Sequence, residues 1–142
     1  MSRMMTALGL SSMALSSVAC GQDTPTITIP GVEQIIPIDI QVLSLYDTKV
    51  TDVGMKELAA LKSLIDLELT RTNVTDAGLK ELAALKSLTT LRLSVTQVTD
   101  AGVKKLAAAL KSLTWLSLSN TQVTGACVKE LRAKLPKCKI YN

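Results

Sequence analysis

The stretch LELTRTNVTDAGLKELAALKSLTT, from Leu67 to Thr90, decides the fold, because the chain repeats it on both sides. The unit before it, LSLYDTKVTDVGMKELAALKSLID, starts at Leu43, and the unit after it, LRLSVTQVTDAGVKKLAAALKSLTW, starts at Leu91. A fourth unit, LSLSNTQVTGACVKELRAKLPKCKIYN, starts at Leu116. A repeat of this length with L-x-x-L-x-L spacing is typical of a solenoid of stacked units.

Each unit predicts one short strand followed by one helix. In the second unit, Leu67 and Leu69 alternate as the apolar positions of a strand do. Leu79 and Leu82 lie three residues apart, which places them on one face of a helix that opens at Asp76. One such unit cannot bury its apolar side alone, so the stacked units bury it against each other.

Two columns of small residues recur outside the apolar positions. The hydroxyls of the first column are expected to bond the backbone of the adjacent coil. The glycines of the second column are expected to allow close packing between neighbouring helices, and their spacing does not match a phosphate-binding loop. The first column is Thr48, Thr72, Thr96 and Thr121, and the second is Gly54, Gly78 and Gly102.

With these motifs in view, residues 43–142 resemble the leucine-rich-repeat family. They are closest to its cysteine-containing subtype, in the bacterial variant with Thr at the conserved polar position. The resemblance implies an α/β solenoid: a short curved right-handed stack with parallel strands on its concave face and helices on its convex face. It also implies a non-catalytic role in binding other proteins.

The first 19 residues predict an export signal rather than part of the fold. A single Arg precedes a run of uncharged residues that ends in small side chains, and the run is too short for a membrane span. Cys20 follows at once and resembles the lipidated cysteine of bacterial lipoproteins, although Ser17 stands where that family usually has an apolar residue. The alternatives are a cleaved signal followed by a chance Cys, or a misassigned start codon that adds residues without a role. We expect a location in the periplasm or cell envelope, with the membrane reached only through a lipid on Cys20.

The two ends of the repeat array predict caps. Residues 20–26 read as a short tether, and residues 27–42 read as an N-terminal cap whose hairpin shields the edge of the first repeat strand. At the other end, residues 138–140 predict a last strand, with Cys138 at a buried Leu position. A helix between Cys127 and Cys138 would separate these thiols by more than a disulfide spans, so we expect no bridge.

The composition excludes most kinds of chemistry. The chain has no His, so the commonest general base and metal ligand is missing, and three Cys do not make a four-ligand zinc site. The carboxylates recur with the repeat, which indicates structural roles. The net charge is +4, but the Lys residues are scattered singly, which argues against nucleic-acid binding. We therefore predict no catalytic residue, no metal site and no cofactor.

Subtracting the repeat leaves the outward strand positions as the part that varies. They form columns across the predicted concave face, and they hold the only Trp, one of the two Tyr and two Arg. Because Trp, Tyr and Arg are enriched in binding hot spots, these columns predict a protein-binding surface. An alternative is that Glu68 and Arg92 pair with each other and bind nothing. The predicted binding residues are Tyr46, Glu68, Arg71, Arg92, Trp115 and Asn120.

Three functions compete at this level. The favoured one is an exported protein-binding module whose partner the sequence does not identify. The second is a structural or cell-surface repeat protein without a specific ligand, for which changes on the concave face would alter stability alone. The third is a substrate-receptor adaptor, which would need a docking domain beside the repeats that 142 residues do not accommodate.

Overall fold

A computed structural model describes residues 4–6 and 26–142. Six strands form one parallel sheet in the order β1-β4-β5-β6-β7-β8, and β2 and β3 form a separate antiparallel hairpin. The strands are β1 Met4–Thr6, β2 Thr26–Thr28, β3 Ile35–Pro37, β4 Val42–Ser44, β5 Asp66–Glu68, β6 Thr90–Arg92, β7 Trp115–Ser117 and β8 Lys139–Tyr141. The helices are α1 Asp52–Leu58, α2 Asp76–Leu82, α3 Asp100–Ala109 and α4 Gly125–Lys134.

The repeat period sets the register of the sheet. Residues 24 or 25 apart in sequence lie opposite each other, so that Leu43, Leu67 and Leu91 are neighbours across three strands. These leucines point to the helices and are at most 1% exposed. The core between sheet and helices is built almost wholly from aliphatic side chains. The prediction of an α/β solenoid of stacked strand-and-helix units is confirmed.

The N-terminal hairpin forms, but it does not cover the sheet edge as predicted. Ile29, which directly follows β2, is fully buried, and it lies so close to Gly54 that a Cβ added at this glycine would come within 2.9 Å of the Ile29 Cγ2 atom. The hairpin therefore packs on the first turn of α1. The outer edge of β4 is paired with β1 instead. Residues 4–6 lie within the predicted export signal, so the expectation that residues 1–19 take no part in the fold is wrong for these three residues. The other residues of the signal lie outside the described part of the chain, and export stays a prediction.

The threonine column stabilises its own turn and not the adjacent coil. Thr48 Oγ1 donates to the carbonyl of Leu45, three residues back, at 2.8 Å. Thr72 does the same to Leu69 at 2.7 Å, and the later repeats follow the pattern. The expectation that these hydroxyls reach across to the next coil is wrong, because the chain turns back toward the hydroxyl within the same repeat.

The aspartates at the helix starts join one repeat to the next. Asp76 opens α2, and its carboxylate accepts hydrogen bonds from the backbone N–H and the hydroxyl of Thr99, at 2.8 and 2.5 Å. Asp52 binds Thr75 in the same way and also accepts from the N–H of Gly78 at 3.0 Å. Each carboxylate thus holds the threonine that precedes the helix of the following repeat, and that of Asp52 also accepts a hydrogen bond from the first turn of α2.

The contacts between these aspartates and the next repeat also explain the properties of Asp100 and of the glycine column. Hydrogen bonds from Thr124 hold the pKa of Asp100 below its ordinary value. A Cβ at Gly78 would come within 2.5 Å of the Asp52 carboxylate, and one at Gly102 would overlap the carboxylate of Asp76. The predicted close packing at the glycine column is confirmed, with the preceding repeat's aspartate as the main neighbour at both positions.

The C-terminal end is closed by β8 and by a side chain that covers its outer edge. Arg132 Nη2 donates to the carbonyl of Ile140 at 3.3 Å, and a covered edge carbonyl discourages pairing with another chain. Cys127 and Cys138 are buried free thiols, and burial raises the pKa of both. The predicted burial of Cys138 is confirmed. Within the described part of the chain, no helix is long and apolar enough to cross a membrane.

Candidate functional site

The concave face is the sheet surface opposite the helices, and the strands carry its side chains in rows. Strand alternation turns the residues between the buried leucines toward this face. The paired positions match the predicted columns, with Asp66 opposite Thr90, Glu68 opposite Arg92, and Thr90 opposite Trp115. Most of these side chains are half-buried, since neighbouring rows pack against each other.

The charged groups in the middle of the concave face make contacts within the sheet, but they do not form the Glu68–Arg92 pair of the alternative interpretation. Arg92 Nη1 lies 2.8 Å from the Asp66 carboxylate, a diagonal neighbour on the adjacent strand. Glu68, the expected partner, instead accepts a hydrogen bond from the hydroxyl of Ser44 at 3.1 Å. The Arg92 and Asp66 side chains are 39% and 26% exposed, so solvent screens their attraction and the pair adds little stability.

Tyr46 and Arg71 meet where the strands end. The guanidinium carbon of Arg71 lies 5.9 Å from the centre of the Tyr46 ring, within the range of a cation–π contact. Arg71 also lines an open groove of about 490 Å³ that runs along the carboxyl ends of the strands, and Asn120 lines the same groove. Three of the predicted binding residues are thus close together: Arg71 contacts Tyr46, and Arg71 and Asn120 line the same groove.

Four of the residues that line this groove, one from each repeat, share an unusual backbone conformation. Asp47, Arg71, Val95 and Asn120 all have φ between 55° and 59°, in the left-handed region that ordinary side chains rarely adopt. The turn requires this conformation in every repeat. Asp and Asn tolerate it well, whereas the β-branched Val95 does not. Strained residues of this kind are often found where a protein binds something.

We expect Val95→Asn to raise the free energy of unfolding by about 1 kcal/mol, because Asn adopts the left-handed conformation at lower cost. Denaturation by urea measures the change. The matched control is Val53→Asn, since Val53 is also exposed but lies in the first turn of α1, where the backbone is right-handed and Asn relieves no strain. A gain at Val53 equal to that at Val95 would remove backbone strain as the explanation.

The C-terminal end of the concave face holds a contact that the sequence analysis missed. The rings of Trp115 and Tyr141 stack with their centres 4.5 Å apart. Lys139 lies beside Trp115 in the sheet register, and Lys139 and Tyr141 are both exposed. The signal was available: adding one period of 24 residues to positions 115 and 117 gives 139 and 141.

All three aromatic side chains of the protein consequently face the same way. The chain has one Trp, two Tyr and no Phe. Tyr46 stands at the N-terminal end of the concave face, and Trp115 and Tyr141 stand at its C-terminal end. In residues 4–6 and 26–142, no group of three or more His, Cys, Asp or Glu side chains is placed to hold a metal ion. Cys20, the predicted lipidation site, lies outside the described residues.

Comparison with protein families identifies the repeat. The family model for the leucine-rich repeat matches residues 60–83 and 84–107, two consecutive units that together make about a third of the chain. The matched units are leucine-rich repeats, and the chain has the fold of a short leucine-rich-repeat solenoid. The similarity to the cysteine-containing subtype remains a resemblance. No curated protein sequence matches the chain.

Several solved structures have a similar fold. An internalin C2 of Listeria monocytogenes is 28% identical with a TM-score of 0.57, over 72% of this chain and 41% of that one. A second internalin of that organism, inlF, is 24% identical with a TM-score of 0.51, over 72% and 34%. The actin-binding site 2 of leiomodin-1 is 20% identical with a TM-score of 0.51, over 63% and 60%. The chain thus spans less than two thirds of the length of each of these proteins.

Proposed function

We propose that this protein is a non-catalytic protein-binding module and that the concave face is its contact surface. The observation that carries the proposal is the position of Tyr46, Trp115 and Tyr141, the only aromatic residues of the chain, on that one face. Aromatic side chains supply large apolar contact area and dominate many protein interfaces. Two units of the chain match the leucine-rich-repeat family, whose domains typically bind proteins, and this supports the proposal.

The variation between the repeats supports the same face. Helix positions recur almost unchanged from unit to unit, whereas the paired concave positions Asp66, Thr90 and Trp115 differ in size and charge. A purely structural column has no need for such differences, as the buried leucines show. This argues against a structural or cell-surface repeat protein without a ligand.

The size of the surface indicates how the module works. Five repeat strands about 4.8 Å apart, each presenting about 17 Å of chain, offer roughly 400 Å² in projection, about half of what one partner buries in a standard interface. Binding by the concave face alone is therefore weak. The groove along the strand ends adds contact area, and several copies held on one surface would gain affinity through effective concentration.

Export to the cell envelope is the second part of the proposal, and its support comes from the sequence of residues 1–19 and from Cys20. A lipid on Cys20 would hold copies together on a membrane. Mass spectrometry of the protein purified from its native cell tests both steps. A chain that starts at Cys20 supports export, and an added acyl mass supports the anchor. A purified protein that still carries residues 1–19 would contradict both export and the lipid anchor.

An affinity capture from the native cell envelope tests the binding function. The bait is the full chain, compared with a double variant, Arg92→Glu with Trp115→Ala. A second double variant, Lys105→Glu with Val53→Ala, makes the same kinds of change on helices, away from the concave face. Circular dichroism verifies that all three baits are folded.

We expect one protein to be retained by the parent and by the helix variant and to be lost from the concave variant. Retention of that protein by all three baits would contradict the concave face as the site. Retention of nothing by the parent would favour a structural repeat protein instead.

A further inference from the structure

Within the described part of the chain, the charged side chains of the concave face are paired or hydrogen-bonded in its middle but not at its C-terminal end. In the middle, Arg92 is paired with Asp66, and Glu68 accepts a hydrogen bond from Ser44. At the C-terminal end, Lys139 has no carboxylate partner within residues 4–6 and 26–142. A partner that binds at this end therefore does not have to break an existing ion pair.

The charge of the protein is also divided along the solenoid. From residue 26 to residue 100 the chain has seven Lys and Arg and ten Asp and Glu, a net charge of −3. From residue 101 to residue 142 it has eight Lys and Arg and a single carboxylate side chain, Glu130, a net charge of +7. Glu130 is itself paired with Lys104 at 2.9 Å on the helix side. Residues 101–142 thus attract anionic groups, and no Asp or Glu side chain of this part of the chain lies on the concave face.

An apolar and a cationic feature coincide at this end. Trp115 and Tyr141 stay 37% and 45% exposed even though their rings stack, so both keep surface to contact a partner. Lys139 stands beside Trp115 on the next strand, and its side chain leaves the same face because the intervening Ile140 is buried. An aromatic pair next to an unpaired cation is complementary to a chain segment with an apolar residue near a carboxylate.

We propose that the C-terminal end of the concave face, formed by Trp115, Lys139 and Tyr141, binds an acidic segment of the partner protein that also carries an apolar side chain. This inference rests on the proposed function, and it names the chemistry of the partner. The carboxylates meet Lys139, and the apolar side chain lies against the exposed parts of the two rings. The positive charge of the last repeat steers the segment to this end rather than to the acidic first repeats.

Trp115 provides its own probe, because it is the only Trp in the chain. Peptides of random sequence are selected on the immobilised full chain, resynthesised, and titrated while the Trp115 emission is followed. The titration is repeated with Lys139→Glu, with Arg92→Glu, and with Lys105→Glu as the control for the same charge change on a helix. Vesicles of phosphatidylglycerol and phosphatidylcholine form a separate arm that presents anionic lipid in place of peptide.

We expect the selected peptides to be enriched in Asp and Glu. Lys139→Glu should weaken their binding about fivefold and Lys105→Glu less than twofold, and added salt should weaken it further. Peptides without acidic enrichment that are lost with Arg92→Glu but not with Lys139→Glu would overturn the inference and leave the proposed function standing. Indifference to both variants, or no selection at all, would contradict both proposals. A response to the anionic vesicles alone would replace the acidic segment with a lipid surface.

Discussion

Replacing Leu91 by Ala lowers the free energy of unfolding by about 3 kcal/mol, the largest effect we expect from any single change described for this protein. Leu91 lies in β6, at the middle of the stack, and none of its side chain is exposed. It has a leucine on either side of it in the sheet, Leu67 and Leu116, so the truncated site cannot collapse without shifting two other repeats. The loss therefore includes both the transfer of the missing atoms and the cavity left behind.

Thermal or urea denaturation measures this loss, and Thr90→Ala is the matched control. Thr90 is the neighbour of Leu91 in the same strand, but its side chain faces outward. We expect the control to change stability by less than about 1 kcal/mol. Equal losses for the two variants would contradict the assignment of the strand's buried and outward faces.

Replacing Asp76 by Ala costs about 2 kcal/mol, less than the loss at Leu91, because the carboxylate is only partly buried and solvent replaces part of what is lost. Its carboxylate accepts two short hydrogen bonds from Thr99, and bonds to a charged acceptor contribute about 1.5–3 kcal/mol each when solvent does not replace them. The change also removes a favourable charge from the first turn of α2. Because Thr99 belongs to the next repeat, the loss falls on the interface between two units.

The control for this change is Glu81→Ala, which removes an acidic side chain from the same helix. Glu81 makes no ion pair or side-chain hydrogen bond in the described part of the chain, so its loss should change stability by less than about 0.5 kcal/mol. Comparable losses at the two positions would show that Asp76 acts as a general helix charge and not through Thr99.

The fold was predictable because the same pattern of apolar residues occurs in four consecutive units. A single unit such as residues 67–90 contains short apolar runs that do not distinguish a buried strand from other structure. Four aligned units remove that ambiguity, since every repeat must form the same elements. The outward columns followed directly, because residues one period apart are neighbours in a stacked array.

Contacts between repeats were harder to predict. The period places Glu68 beside Arg92, but it does not tell which carboxylate a long and flexible Arg side chain reaches, and Arg92 takes Asp66. Asp76 is recognisable as a helix-start residue, yet its partner in the next repeat depends on the distance between adjacent helices. Both contacts depend on three-dimensional spacing that a one-dimensional pattern does not contain.

The last row of the concave face was missed for a different reason. The final unit departs from the repeat, and a strand at its end reads as a cap rather than as part of a binding surface. In the structure, Lys139 and Tyr141 continue the columns of Trp115 and Ser117. The difference in net charge between residues 26–100 and residues 101–142 could be assigned to opposite ends of the solenoid only once the stacking order of the repeats was known.

Hydroxyl-radical footprinting of the full chain, alone and with the protein captured on it, tests the central claim most directly. Tyr46, Trp115 and Tyr141 are the only aromatic residues, and aromatic side chains are among the most readily oxidised. We predict that oxidation of these three falls severalfold in the complex while that of Val53, exposed on α1, is unchanged. Protection of Val53 with undiminished oxidation of the three aromatics would place the partner on the helices and contradict the account.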